Sequence, residues 1–168
     1  MSHVSTAVLL VAALALAACN NPDRYGTGGA GAGGIDSTGL GGANDPASVA
    51  YFNQTVGDRV LFAVDQFNLS DAARATLVGQ AQWLTTNRDY AIIIEGHADE
   101  QGTQEYNMAL SARRASAVKD YLIAQGIAPA RMETIPYGKE RPIEVCSDEA
   151  CYSKNRRAVT VLSQGAGA

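Results

Sequence analysis

The sequence predicts an α+β domain with two layers, in which elements follow the order β-α-β-α-β and one more strand is added at the C-terminal end. Two stretches with helical periodicity each fall between short runs of apolar and β-branched residues. Strands that alternate with helices pack as a sheet with helices against it. We therefore assign residues 49–163 to one folded domain and residues 164–168 to a disordered tail.

The N-terminal region predicts export and lipid attachment. Val8 to Ala18 is an unbroken apolar run of eleven residues, too short for a membrane-spanning helix but suited to a signal peptide over residues 1–18. The run ends in Leu16-Ala17-Ala18-Cys19, which resembles a bacterial lipobox. This resemblance implies that Cys19 is lipidated and becomes the mature N-terminus. The alternative is an ordinary secretory signal that happens to precede a cysteine.

Residues 19–48 combine the lipidated cysteine with a tether rich in glycine, which is expected to be flexible and disordered. The whole chain carries a formal net charge of -4. This charge argues against nucleic acid as a partner, because phosphate binding requires a basic surface.

The first half of the domain predicts two strands and one helix. Arg59 to Val64 is apolar enough for a buried strand, and Ser70 is a typical N-cap for the helix that follows. A second strand opens at Ala91 to Ile94, a run rich in isoleucine. The helix has one apolar face, formed at four-residue intervals by Ala73, Leu77, Ala81 and Leu84.

The second half predicts a long helix and two strands. The helix spans about Gln104 to Gln125 and ends before Gly126 and Pro129. Arg131 to Tyr137 follows as a third strand. The last two segments are a loop over Pro142 to Cys151 and a final strand over Arg157 to Leu162.

Cys146 and Cys151 remain once Cys19 is assigned to the lipid. In an oxidising compartment two such cysteines favour a disulfide. A zinc site is the alternative, but no second pair of cysteine or histidine ligands accompanies them. We expect the disulfide and no metal.

One arginine of the long helix is expected to face the core. Arg114 lies four residues after Leu110 and four before Val118, whereas Arg113 is turned about 100° away. A buried guanidinium requires an anion. Asp99, at the end of the second strand, could be that anion in a structural ion pair. Alternatively, the two charges together complement a zwitterion, with Asp99 taking an ammonium and Arg114 a carboxylate.

A metal site is a third possibility in this region. Glu95, His97 and Asp99 alternate along the second strand, so their side chains could share one face. His97 is the only histidine of the expected mature chain, and no separate base or nucleophile pairs with it. We therefore do not expect an enzyme.

Several motifs resemble the OmpA-like peptidoglycan-binding domain family. The resemblance covers roughly residues 58–162 and implies an OmpA-like two-layer sandwich. The matching segments are Gly96-His97-Ala98-Asp99-Glu100-Gln101-Gly102-Thr103-Gln104-Glu105-Tyr106-Asn107, Leu110-Ser111, Arg113-Arg114-Ala115, Ala117-Val118, Tyr137-Gly138-Lys139-Glu140-Arg141-Pro142 and Tyr152-Ser153-Lys154-Asn155-Arg156-Arg157-Ala158-Val159.

The family implies a ligand and the residues that bind it. The ligand is the stem peptide of peptidoglycan, bound through the free amino acid centre of its meso-diaminopimelate residue. The family positions that hold this centre fall on Asp99 and Arg114. Asp65 falls on a position that joins the pocket, and Asn107 and Arg157 match polar positions beside it.

The last two motifs, the lipobox and the tether resemble the lipoprotein branch of this family. That branch implies an outer-membrane protein, anchored by its lipid and facing the periplasm, that belongs to the Tol system and binds a TolB-like periplasmic protein. The alternatives are a wall-binding lipoprotein of the family outside the Tol system and a lipoprotein in which Arg114 has only a structural role.

Overall fold

The structure is a computed structural model that describes residues 42–164. The predicted signal peptide, the lipidation site at Cys19, most of the tether and residues 165–168 lie outside the described residues. Within residues 42–164, no helix has both the length and the apolar character that a membrane crossing requires.

Four strands form one mixed sheet with the spatial order β1-β4-β2-β3. Strand β4 is antiparallel to both of its neighbours, whereas β2 and β3 are parallel. The last strand is therefore inserted between the first two. The strands are β1 (Arg59–Leu61), β2 (Tyr90–Gly96), β3 (Met132–Pro136) and β4 (Arg157–Gln164).

Two long helices pack against the sheet, and each begins at a side-chain cap. Ser70 accepts a hydrogen bond from the backbone N–H of Ala73, and Thr103 accepts one from that of Tyr106. These caps satisfy backbone donors that the first turn leaves free. The helices are α1 (Val49–Tyr51), which continues into a π-helical segment (Phe52–Gly57), α2 (Asp71–Thr86), α3 (Gln104–Ala124) and α4 (Glu149–Asn155).

The core lies between the helices and the sheet. The predicted apolar face of α2 is confirmed, because all four of its residues are buried. On α3, Leu110, Val118 and Leu122 are buried as the spacing predicts. The predicted α+β fold class is therefore confirmed.

Three segments differ from the sequence-based expectation. Strand β1 ends at Leu61 rather than Val64. The chain turns away there because the carbonyls of Ala63 and Gln66 accept hydrogen bonds from Arg114, a buried residue of α3. Helix α4 begins inside the segment predicted to be a loop, with Asp148 as its N-cap. Strand β4 extends to Gln164, the first residue of the predicted tail.

Candidate binding site

Helix α3 touches the carboxyl end of strand β2 at a glycine. A Cβ atom on Gly96 would lie 2.0 Å from the carbonyl oxygen of Ser111, which no side chain could tolerate. Glycine therefore permits a backbone contact between strand and helix. This contact brings Arg114, one turn further along α3, to the residues that follow β2.

The Arg114 side chain has no exposed surface, and its guanidinium donates to three backbone carbonyls. Nη1 donates to His97 (2.9 Å), Nε to Gln66 (2.8 Å) and Nη2 to Ala63 (3.2 Å). The prediction that Arg114 faces the core is confirmed, as is the exposure of Arg113. One side chain thus joins the end of β2 to the loop that follows β1.

The positive charge of Arg114 is not balanced by a direct ion pair within the described residues. Desolvation lowers its pKa to about 10, while the carboxylates of Asp99 and Asp65 act in the opposite direction. The guanidinium therefore stays charged at neutral pH. The Arg114–Asp99 ion pair considered from the sequence is not formed.

Asp99 is paired with a different arginine. Its Oδ2 lies 3.0 Å from Nη1 of Arg156, and both side chains are buried. Its Oδ1 accepts a 3.3 Å hydrogen bond from the backbone N–H of Gln101. Arg156 also forms an ion pair with Glu149, at the start of α4. Neither Arg156 nor Glu149 was predicted from the sequence, although the Arg156-Arg157 doublet lies inside the motif from Tyr152 to Val159.

Asp65 lies at the exposed rim of this cluster. It adopts a left-handed backbone conformation with φ of 55°, and its Oδ1 accepts a 3.2 Å hydrogen bond from the hydroxyl of Tyr106 on α3. Asp65 and Tyr106 both raise the pKa of the Arg114 guanidinium. The residues at the rim therefore interact electrostatically with the buried charge.

Asn107 and Arg157, the two other predicted site residues, are buried and bound to backbone. Asn107 Nδ2 donates to the carbonyl of Gln101 at 2.7 Å, which holds the loop that carries Asp99. Arg157 Nη2 donates to the carbonyl of Arg141 at 3.1 Å. The structure thus gives Asn107 a supporting position in the cluster and directs Arg157 towards the loop after β3.

The alternative metal site is not assembled. His97 Nε2 lies 3.5 Å from Glu95 Oε2, but the carboxylate of Asp99 is turned to Arg156. Within residues 42–164, the only trio of potential metal ligands that converges is Cys146, Asp148 and Cys151. Both of these cysteines are joined in a disulfide, with Cα atoms 5.9 Å apart.

His97 itself is buried against an aromatic ring. It is 1% exposed, and its ring stacks on that of Tyr137 with a centroid distance of 5.4 Å. Among the residues that the structure describes, neither ring nitrogen has a hydrogen-bond partner. Burial, followed by the charges of Arg157 and Arg141, lowers the pKa of His97 to about 4. The imidazole is therefore neutral at pH 7.

Comparisons with known proteins identify the class of domain to which this fold belongs. Residues 61–156 match the model of the OmpA family. A crystal structure of the peptidoglycan-associated lipoprotein from Burkholderia pseudomallei is similar, with a TM-score of 0.64 and 38% identity over 72% of this chain and 98% of that one. The C-terminal domain of Helicobacter pylori MotB, 22% identical with a TM-score of 0.60, shares the fold over 65% of this chain and 86% of that one.

Curated relatives extend the similarity over nearly the whole chain. The peptidoglycan-associated lipoprotein of Rhizobium meliloti is 51% identical over 95% of this chain and 88% of its own length. That of Mesorhizobium japonicum is 48% identical over 95% of this chain and 92% of its own. The chain belongs to the OmpA family and, within it, to the peptidoglycan-associated lipoproteins.

Proposed function

We propose that this protein is a lipid-anchored lipoprotein of the outer membrane that faces the periplasm and binds peptidoglycan non-covalently. Relatives that carry the name peptidoglycan-associated lipoprotein, at 48–51% identity, support the wall-binding role. The lipobox at Cys19 supports the anchor. Such a protein ties the outer membrane to the cell wall, and so contributes to envelope integrity and to cell division. Its function is binding rather than catalysis.

The ligand that the cluster suits best is the meso-diaminopimelate residue of the stem peptide. Its free amino acid centre carries one ammonium and one carboxylate. The observation that carries this proposal is the buried guanidinium of Arg114, which lies beside the carboxylate of Asp99 and, within residues 42–164, has carbonyl partners but no paired anion. Three carbonyls satisfy hydrogen bonds without cancelling the charge, so an anionic group in this position gains attraction in a weakly screened environment.

Each charged end of the ligand has a complementary group. The Asp99 carboxylate has about four lone-pair positions. Arg156 and Gln101 take two of them, so the ammonium can bind the remainder. Arg114 has five N–H donors and uses three. Asp65 and Tyr106 line the exposed approach, and Asn107 supports the loop of Asp99. Arg157, bound to the carbonyl of Arg141, stays a predicted pocket residue.

Access to Arg114 requires a small movement. Because its side chain has no exposed surface, a carboxylate reaches the two remaining donors only when the loop of Ala63 and Gln66 shifts outward. This loop is exposed and outside regular structure. We therefore expect the ligand to displace the carbonyls of Ala63 and Gln66 in part from Arg114. The ligand's carboxylate then replaces a neutral carbonyl as the acceptor, and a charged acceptor forms a stronger hydrogen bond.

The proposed function also implies partners within the Tol system. A TolB-like periplasmic protein is the expected protein partner, in competition with the wall for the same face of the domain. A wall-binding lipoprotein outside the Tol system remains the alternative. Copurification of a TolB-like protein with this chain, and its release by excess soluble muropeptide, would support the Tol assignment.

The test of ligand identity is a calorimetric titration with a muropeptide that contains diaminopimelate. Asp99→Ala should weaken binding at least tenfold, since a charge left desolvated and unmatched costs on the order of 2–5 kcal/mol. Arg113→Ala is the matched control, because this neighbouring arginine is exposed and stacks on Phe67. A muropeptide with lysine lacks the second carboxylate and should bind weakly. Equal binding of both muropeptides would contradict the proposed ligand.

A further inference from the structure

Arg156 is held at three points around Asp99. Its Nη1 donates to Asp99 Oδ2 at 3.0 Å, and its Nε donates to the carbonyl of Phe62 at 3.2 Å. Glu149 takes the third position, where its carboxylate accepts from Nη1 at 3.3 Å and from Nη2. Since Arg156 is only 4% exposed, the guanidinium has one orientation.

This arrangement fixes the orientation of the Asp99 carboxylate. An aspartate carboxylate rotates broadly about its last torsion, and a freely rotating group would offer a ligand no preferred oxygen. With Oδ2 bound to Arg156, Oδ1 is directed to the other side, where its only protein partner among the described residues is the 3.3 Å contact with the Gln101 N–H. Oδ1 is therefore the acceptor left for an ammonium.

Glu149 makes this positioning compatible with cation binding. Arg156 alone would cancel the charge of Asp99, and an incoming ammonium would meet a neutral pair. With the carboxylate of Glu149 included, the group of Asp99, Arg156 and Glu149 carries one net negative charge. The pKa of Arg156 is raised by Glu149 and Asp99, although desolvation, the largest single cause, lowers it. Arg156 in turn lowers the pKa of Glu149, so these two groups carry opposite charges at neutral pH.

We propose that Arg156 is a positioning residue for ligand binding, which acts through Asp99, and that Glu149 preserves the negative charge which Asp99 presents. This inference rests on the proposed function, because it assumes a cationic group of the ligand at Oδ1 of Asp99. It adds two residues that act without touching the ligand. It also assigns helix α4 a role in binding, since this helix carries Glu149.

The test is a double-mutant cycle with the full-length chain in detergent, titrated with the diaminopimelate muropeptide. Asp99→Asn and Arg156→Gln should each weaken binding about tenfold or more. If Arg156 acts through Asp99, the double variant should bind within about twofold of Asp99→Asn alone, because coupled residues are not additive. Arg156→Lys should recover part of the affinity. Arg59→Gln is the matched control, since Arg59 is an exposed arginine paired with Asp58.

The outcomes separate this inference from the proposed function. If the wild type does not bind the muropeptide, both fail. If Asp99→Asn abolishes binding but Arg156→Gln binds like the wild type, or if the two losses add, only the positioning role is wrong. Should Arg156→Gln not fold, Glu149→Gln decides, because this side chain is 66% exposed. A loss of about threefold supports the proposal, as a partly screened charge predicts, and an unchanged affinity overturns it.

Discussion

The carbonyl of His97 accepts a 2.9 Å hydrogen bond from Nη1 of Arg114, so the end of strand β2 is tied to the middle of helix α3 by a side chain without exposed surface. The same guanidinium binds Ala63 and Gln66. Arg114 therefore has two roles, because it holds the loop after β1 in place and supplies the positive charge of the proposed site.

Replacing Arg114 should consequently affect both stability and binding. Arg114→Ala leaves the buried carbonyl of His97 without its donor, at a cost of about 1–3 kcal/mol, and it removes a large side chain from the interior, which leaves a cavity. We expect the free energy of unfolding to fall by about 3–5 kcal/mol, measured by urea denaturation. Arg114→Lys should fold better but bind muropeptide at least tenfold more weakly, since an ammonium cannot replace the planar fork.

Arg113→Ala is again the control for this experiment, and it should change the free energy of unfolding by no more than about 0.5 kcal/mol, as is usual for surface substitutions. If Arg113→Ala destabilised the domain as much as Arg114→Ala, the assignment of the two helix faces would be wrong.

The neutral His97 predicts a loss of stability in mild acid. Its pKa is about 4 in the folded state against an ordinary 6.5, so the unfolded chain takes up the proton first as the pH falls. Above pH 6.5 this difference does not affect the free energy of unfolding. As the pH falls from 6.5 towards 4, the free energy of unfolding decreases by a total on the order of 2 kcal/mol.

His97→Phe is the variant that isolates this contribution, because it keeps a ring against Tyr137 and removes the titrating group. The difference in unfolding free energy between wild type and His97→Phe should shift in favour of the variant between pH 6.5 and 4. A difference that stays constant over this range would show that His97 is not held neutral by the fold.

The disulfide between Cys146 and Cys151 should be present in protein taken from the periplasm. Mass spectrometry without reductant should show a peptide two protons lighter than the dithiol form. Because the ring spans few residues, replacing both cysteines by serine should lower the free energy of unfolding by no more than about 2 kcal/mol. Two free thiols in the isolated protein would contradict the pairing.

Lipid attachment at Cys19 is tested by metabolic labelling with palmitate. We expect the wild type to be labelled. Cys19→Ser should be unlabelled, and it should either keep its signal peptide or float free in the periplasm. Acyl chains contribute about 0.8 kcal/mol per buried methylene group, and nothing in residues 42–164 could replace them as a membrane-spanning helix. An unlabelled wild type would rule out the lipobox assignment.

Local periodicity predicted the two long helices, α2 and α3. It also predicted the burial of Arg114, because the spacing to Leu110 and Val118 depends only on helix geometry. The Asp99–Arg156 pair could not be predicted in the same way. It joins residues 57 positions apart and depends on the insertion of β4 between β1 and β2. Helix α4 was missed because seven residues are too few to show a helical period.

The place where the chain enters the domain determines how the domain bears mechanical load. Trp83 Nε1 donates to the carbonyl of Pro46 at 2.7 Å, and the Tyr90 hydroxyl donates to that of Ala47, so the tether side is held at the start of β2. Asp99 lies beyond the other end of this strand, which is about 20 Å long. Under the proposed anchoring, a pull from the membrane first loads these two side-chain hydrogen bonds, which link the tether to α2 and to the start of β2. Once they break, the load follows the covalent chain through α1 to β1, which is an edge strand of the sheet.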